Sequence, residues 1–157
     1  MPIKRQRGVT LIEMIMVVAL IGIMVGITFP SISSGIDSIR IASASDSIAS
    51  MLNSALNLAN RRQEVVEVEI SLVNNTMRVR SAISGFDRTL DMPRGVEIRD
   101  VIPPIPVDRS VSRRFLIYPG GTAPRLGLEI VNSRGALRRV RVDPITGVPQ
   151  IERGASR

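Results

Sequence analysis

The sequence predicts an α+β protein: a long N-terminal helix, transmembrane in its first half, packed on a C-terminal antiparallel β-sheet domain. Three observations predict it. Residues 9–29 are almost continuously apolar, with Glu13 as their one charge. After Pro30, apolar residues recur at helical spacing as far as Arg61-Arg62. Beyond that point the period changes from about 3.6 to 2, and short alternating runs are separated by Gly, Pro and Asn.

The elements follow in order. Residues 1–8 are a short basic leader containing Lys4, Arg5 and Arg7. The run from Val9 to Phe29 can span roughly 30 Å of hydrocarbon as a helix. The next stretch carries Ile32, Ile36, Ile39, Ile41, Ala44, Ile48, Met51, Leu52, Ala55, Leu56 and Ala59 among Ser, Asp and Asn. That pattern predicts a polar-faced helix packing one apolar stripe. Arg61 and Arg62 suit its C-terminal dipole. A continuous helix from residue 9 would have about 54 residues and a length of about 80 Å. Gly22, Gly26 and Pro30 are weak points along it, and Gly22-x-x-x-Gly26 matches a helix-packing motif.

Strands are predicted at 65–72, 77–80, 96–99, 115–118, 126–131, 137–142 and 148–151, with Asn74-Asn75 as a tight hairpin turn. Pro103, Pro104 and Pro106 mark an irregular loop. Further turns are predicted at Pro119-Gly120-Gly121, at 132–135 and at 143–147. The organisation is therefore a leader over 1–8, a transmembrane helix half over 9–30, an amphipathic half over 31–62, an antiparallel β domain over 63–151 and a flexible tail over 152–157.

Composition excludes much chemistry. The chain has no Cys and no His among its 157 residues. There is no disulfide framework, no thiolate metal site and no imidazole base. A nucleophilic triad cannot be assembled, so the expectation is a non-enzyme with no catalytic residues, no metal and no cofactor. Glu67 and Glu69 share one face of a strand and read as a solvated face. Gly120-Gly121 reads as turn chemistry, since no helix start follows it.

The formal charge is +7. From Arg109 to Arg157 ten Arg stand against Glu129, Asp143 and Glu152. Such a surplus points to an anionic neighbour or to a soluble Arg-rich face. Arg134, Arg138, Arg139 and Arg141 are the candidate anion or DNA contacts. On a strand, Arg139 and Arg141 share one face and Arg138 the other.

Glu13 needs an explanation, because a carboxylate at the centre of a membrane helix costs roughly 2.5–3.5 kcal/mol on insertion scales and a plain anchor gains nothing from it. Three readings compete. A secretory signal peptide has a shorter apolar run and an Ala-x-Ala-like cut site, and here Thr28-Phe29-Pro30-Ser31-Ile32 follows. A signal-anchor fits the length and the basic N-terminal flank but leaves Glu13 unused. The third reading cuts the chain at Gly8 and uses Glu13 for assembly.

Gly8, a basic leader of eight residues, Thr10-Leu11-Ile12-Glu13 and Pro30 together resemble a type IV pilin-like prepilin. Val9 departs mildly from the usual Phe. The C-terminal stretch Tyr118-Pro-Gly-Gly121-Thr122, Leu128-Glu-Ile-Val-Asn132, Arg138-Arg-Val-Arg-Val142 and Thr146-Gly147 is similar to H-type minor pseudopilins of type II secretion, and equally to FimT-type minor pilins. The resemblance implies that a prepilin peptidase cuts between Gly8 and Val9 and that the new amine of Val9 is methylated. It implies that Glu13 pairs with the amine of a neighbouring subunit, so that the chain is a substrate of chemistry and performs none. The implied place is the bacterial inner membrane, single-pass, with a cytoplasmic N-terminus and a periplasmic or extracytoplasmic C-terminal domain. The implied partners are other major and minor pseudopilins or pilins. The implied role is that of a minor pseudopilin at or near the filament tip in protein export, or else of a FimT-like minor pilin in pilus biogenesis or DNA uptake. DNA-binding relatives carry a Gly-Arg-x-Arg type motif, whereas Gly147-Val148-Pro149-Gln150 has no arginine, which weighs against DNA.

Overall fold

A computed structural model describes residues 9–104 and 112–154, with the side chains of 28–34 excepted. The leader, Gly8, Pro106, most of the proline loop and residues 155–157 lie outside the described residues. The chain divides into two compact units, residues 1–36 and 37–157.

In the first unit, the α-helix α1, Leu11–Arg62, begins with Thr10 as its cap and Glu13 in its first turn. The large apolar side chains from Val9 to Ile27 are all exposed, from 47% at Val17 to 81% at Leu11. A Cβ added at Gly22 or Gly26 would meet nothing within 4 Å. Among the described residues, no helix is both long and apolar enough to cross a membrane. The described side chains of the apolar run stop at Ile27, and in the sequence the run continues to Phe29.

The second unit receives the rest of α1. Its buried stripe is Ile41, Ala44, Ser45, Ile48, Leu52, Ala55, Leu56 and Ala59. Ile36 and Ile39, expected on this stripe, are exposed instead. At about 100° per residue they fall roughly 140° and 160° away from Ile41, on the far side of the helix. Ser45 stays dry by donating its hydroxyl to Ile41 O at 2.7 Å. The helix ends in a Schellman geometry: Gln63 takes a φ of 54° and Glu64 N–H reaches back to Ala59 O at 3.3 Å.

Among the described residues eight strands follow, in two antiparallel sheets where the sequence suggested one. The first sheet has the order β3-β2-β1-β5, with β1 Val66–Ser71, β2 Thr76–Ser81, β3 Asp87–Asp91 and β5 Arg113–Ile117. The second has the order β4-β6-β7-β8, with β4 Val96–Ile102, β6 Gly127–Asn132, β7 Leu137–Val142 and β8 Pro149–Gly154. Strand β3 is an addition to the sequence reading. It is almost wholly exposed and only Leu90 in it is apolar, so no alternation reveals it. It forms because β2 offers an edge and Arg78 clasps Asp87 across the pair. Strand β8 runs to Gly154, three residues into the segment assigned to a tail, because Leu137 and Arg138 of β7 pair with Gly154 and Arg153.

One apolar core takes side chains from α1 and from both sheets, including Ile48, Leu52, Ile70, Met77, Leu128 and Ile130. Among the described residues, no aromatic side chain in it is fully buried. The sheets are also tied by a polar cross-link. The β1–β2 connection is a four-residue loop, Leu72 to Asn75, rather than a two-residue turn at Asn74-Asn75. Its last residue, Asn75, has a φ of 54°. The Asn75 amide donates to Val96 O at 2.8 Å and accepts from Ile98 N at 2.7 Å. The loop of the first sheet thereby satisfies two backbone groups on the edge strand of the second.

Candidate functional site

The N-terminal motif is built on a helix start. Thr10 Oγ1 accepts the Glu13 backbone N–H at 3.4 Å, and Met14 N–H closes the first helical turn on Thr10 O at 3.3 Å. Thr10-Leu11-Ile12-Glu13 thus has the order of a capping box, a local signal the sequence reading passed over. In a complete box the third-position glutamate bonds back to the cap's N–H. Here the Glu13 carboxylate makes no such bond among the described residues, and its side chain is exposed. It stands one turn from the positive end of α1, beside the exposed Val9, in an otherwise apolar surface. Gly8 lies outside the described residues.

The four candidate arginines are spread over three environments. Arg139 is clasped by Glu129 of β6, with Nε to Oε1 at 2.8 Å. Arg141 pairs with Glu152 of β8 at 2.6 Å. Both lie on the outer face of the second sheet, as alternation requires. Arg134, in the β6–β7 turn, reaches Asp37 of α1 at 3.2 Å. Arg138 lies on the opposite face of β7, the side of Val140 and Val142, directly across from Arg153 of β8. The four do not converge.

Glu67 and Glu69 do share the outer face of β1. Arg80 Nη2 donates to both carboxylate oxygens of Glu67, at 3.0 and 3.1 Å, and Arg114 Nε lies 3.5 Å from one of them. This is a charge ladder across the first sheet. Gly120-Gly121 forms a turn whose Gly120 N–H is held by Asn60 Oδ1 at 3.2 Å. Asp143 caps the turn before β8: Ile145 N–H and Thr146 N–H bond its carboxylate, which holds its pKa below the usual range.

Residues 3–29 match the family model described as the prokaryotic N-terminal methylation motif. The N-terminal segment is thus that of a type IV pilin-like prepilin. The chain is also similar in fold to the type IV minor pilin FimU of Pseudomonas aeruginosa, with 15% identity, over 73% of this chain and 88% of that one, at a TM-score of 0.49. A likeness at that level does not extend to function. No curated protein matches the sequence.

Proposed function

We propose that the chain is a minor subunit of a type IV filament-like machine, a pseudopilin of type II secretion. A prepilin peptidase cuts it between Gly8 and Val9, the Val9 amine is methylated, and the apolar part of α1 holds it in the inner membrane before assembly. The observation that carries this reading is Glu13. Its backbone N–H is satisfied by Thr10, and its carboxylate is left exposed in an apolar helix surface, without a partner among the described residues. A charge in that setting is stabilised by a cation brought by another subunit, and the methylated amine of a neighbouring Val9 supplies one. Other pilin-like subunits are then the partners of the exposed apolar helix. No catalytic residue or cofactor belongs to this reading.

The competing role is that of a FimT-like minor pilin in pilus biogenesis or DNA uptake. Against its DNA-binding form, Arg134, Arg139 and Arg141 already contact carboxylates and Arg138 faces elsewhere. Intact mass of the protein from its native membrane, beside a Glu13→Ala variant, tests the proposal. The expected mass starts at Val9, and the variant is expected to be cut and to fail to enter filaments. A chain still beginning at Met1, in cells with an active prepilin peptidase, would overturn it. Loss of secretion rather than of piliation or DNA uptake on deletion assigns the machine.

A further inference from the structure

Half of the arginines on the two sheets have carboxylates at hand: Arg78 has Asp87, Arg80 and Arg114 have Glu67, Arg139 has Glu129 and Arg141 has Glu152. Two of the others are set against each other at one end of the second sheet. Arg138 of β7 and Arg153 of β8 are cross-strand partners, two like charges directly opposite each other. Among the described residues neither has an ion-pair partner. Like charges in that position repel and oppose folding. Arg138 stands on the core-facing side of β7, next to Ile130 of β6, and Arg153 lies exposed opposite it on β8.

Three more arginines gather at the same end. Arg134, in the β6–β7 turn, and Arg40, on α1, share Asp37 at 3.2 and 3.6 Å. Ser133 N–H bonds Gly95 O at 3.0 Å, which brings the exposed Arg94 alongside. The acidic groups here are Asp37, already shared, the exposed Asp91 and Glu97, and Glu152, which turns to the outer face to pair with Arg141. Glu97 points to the outer face of β4, opposite to its buried neighbours Val96 and Ile98. In the sequence, Asp37 and Arg40 follow closely on the apolar run.

We propose that this arginine end, Arg40, Arg94, Arg134, Arg138 and Arg153, binds the headgroups of anionic phospholipids. A phosphate between Arg138 and Arg153 relieves their repulsion, and charge complementarity with a negative leaflet holds the domain on the bilayer until its subunit leaves for a filament. The proposal rests on the membrane-anchored reading above.

The chain has no cysteine, so Ala136→Cys, at an exposed position in the β6–β7 turn, takes a single fluorophore. The full-length labelled chain is placed in nanodiscs of phosphatidylcholine alone, or with a third phosphatidylglycerol, each carrying a headgroup-bound quencher. Quenching several-fold stronger in the anionic discs is expected, fading as salt is raised. Arg138→Gln with Arg153→Gln is expected to abolish the difference, at about five-fold in lipid contact per charge. Arg139→Gln with Arg141→Gln removes the same charge from the outer face and is expected to leave it intact. Equal quenching in both discs, or equal loss with both double variants, overturns the proposal. So does an Arg138-dependent change produced by duplex DNA and not by lipid charge. A chain that does not enter discs at all overturns the membrane reading and the proposal with it.

Discussion

Replacing Asn75 by alanine removes the bridge between the two sheets. The side chain makes two short bonds, 2.8 Å to Val96 O and 2.7 Å to Ile98 N, both part-buried. Together they contribute about 2 kcal/mol, and more where the abandoned groups stay dry. Alanine adds a backbone cost of about 1 kcal/mol, because Asn75 has a φ of 54°. Asn75→Ala is therefore expected to cost about 3 kcal/mol, against a domain stability of about 5–15 kcal/mol. Asn75→Gly loses the same bonds but accepts the backbone, and is expected to cost about 2 kcal/mol. Asn75→Asp keeps the acceptor for Ile98 and sets an anionic oxygen against Val96 O. Only its protonated form can donate there, so its folded pKa is raised. The stability it retains is full below the unfolded value and is lost as pH rises through the folded one. Urea unfolding of the detergent-solubilised chain at constant m measures all three. Hydrogen exchange at the Ile98 amide should report the local loss. An Asn75→Ala midpoint indistinguishable from the parent, or a glycine variant weaker than the alanine one, would refute the reasoning.

Gly127→Ala places a Cβ 2.8 Å from Val140 O and 2.9 Å from Arg141 Cβ. Strand backbone cannot yield that much, and a loss of about 1–3 kcal/mol is expected by thermal unfolding. Leu52→Ala empties a fully buried site of the α1 stripe and is expected to cost about 2–5 kcal/mol, whereas Ile39→Ala, on the exposed side, is expected to stay within about 0.5 kcal/mol. Asp143 has a folded pKa lowered by the Ile145 and Thr146 amides. Its contribution is present above the unfolded pKa and is lost as pH falls through the folded one. Asp143→Asn keeps an acceptor in the turn, so a pH titration of stability should flatten on the acid side. Glu13→Gln preserves size and removes charge. Normal processing with impaired filament entry, read by mass and by fractionation, is the expected outcome.

Local pattern made α1 legible over nearly its whole length, because 3.6-residue periodicity and terminal signals act within a few residues of each other. The same holds for the strands with clean alternation, such as β1 and β7. Strand β3 was not legible: Asp87-Arg88-Thr89-Leu90-Asp91 carries no apolar face, and its pairing is imposed by β2. Ile36 and Ile39 lie off the buried stripe because the apolar residues of this helix segment occupy two sides, which helical spacing alone does not separate. At the candidate site, Glu13 stood out as a lone charge in an apolar run. Thr10 did not, although Thr-x-x-Glu is itself a helix-start signal.

By itself, the sequence determined what depends on composition and short-range order: no thiol or imidazole chemistry, a charged residue near the start of an apolar helix, a helix followed by strands, and turns where glycine or asparagine takes a positive φ. Tertiary structure alone decided which groups meet across the chain. It divided the strands into two sheets, made Asn75 the link between them, handed Arg134 to Asp37 and Arg139 to Glu129, and set Arg138 against Arg153. Those outcomes depend on strand register and on which edge meets which loop. Register follows from burying one common core, a condition on all the elements at once that no single stretch of sequence expresses.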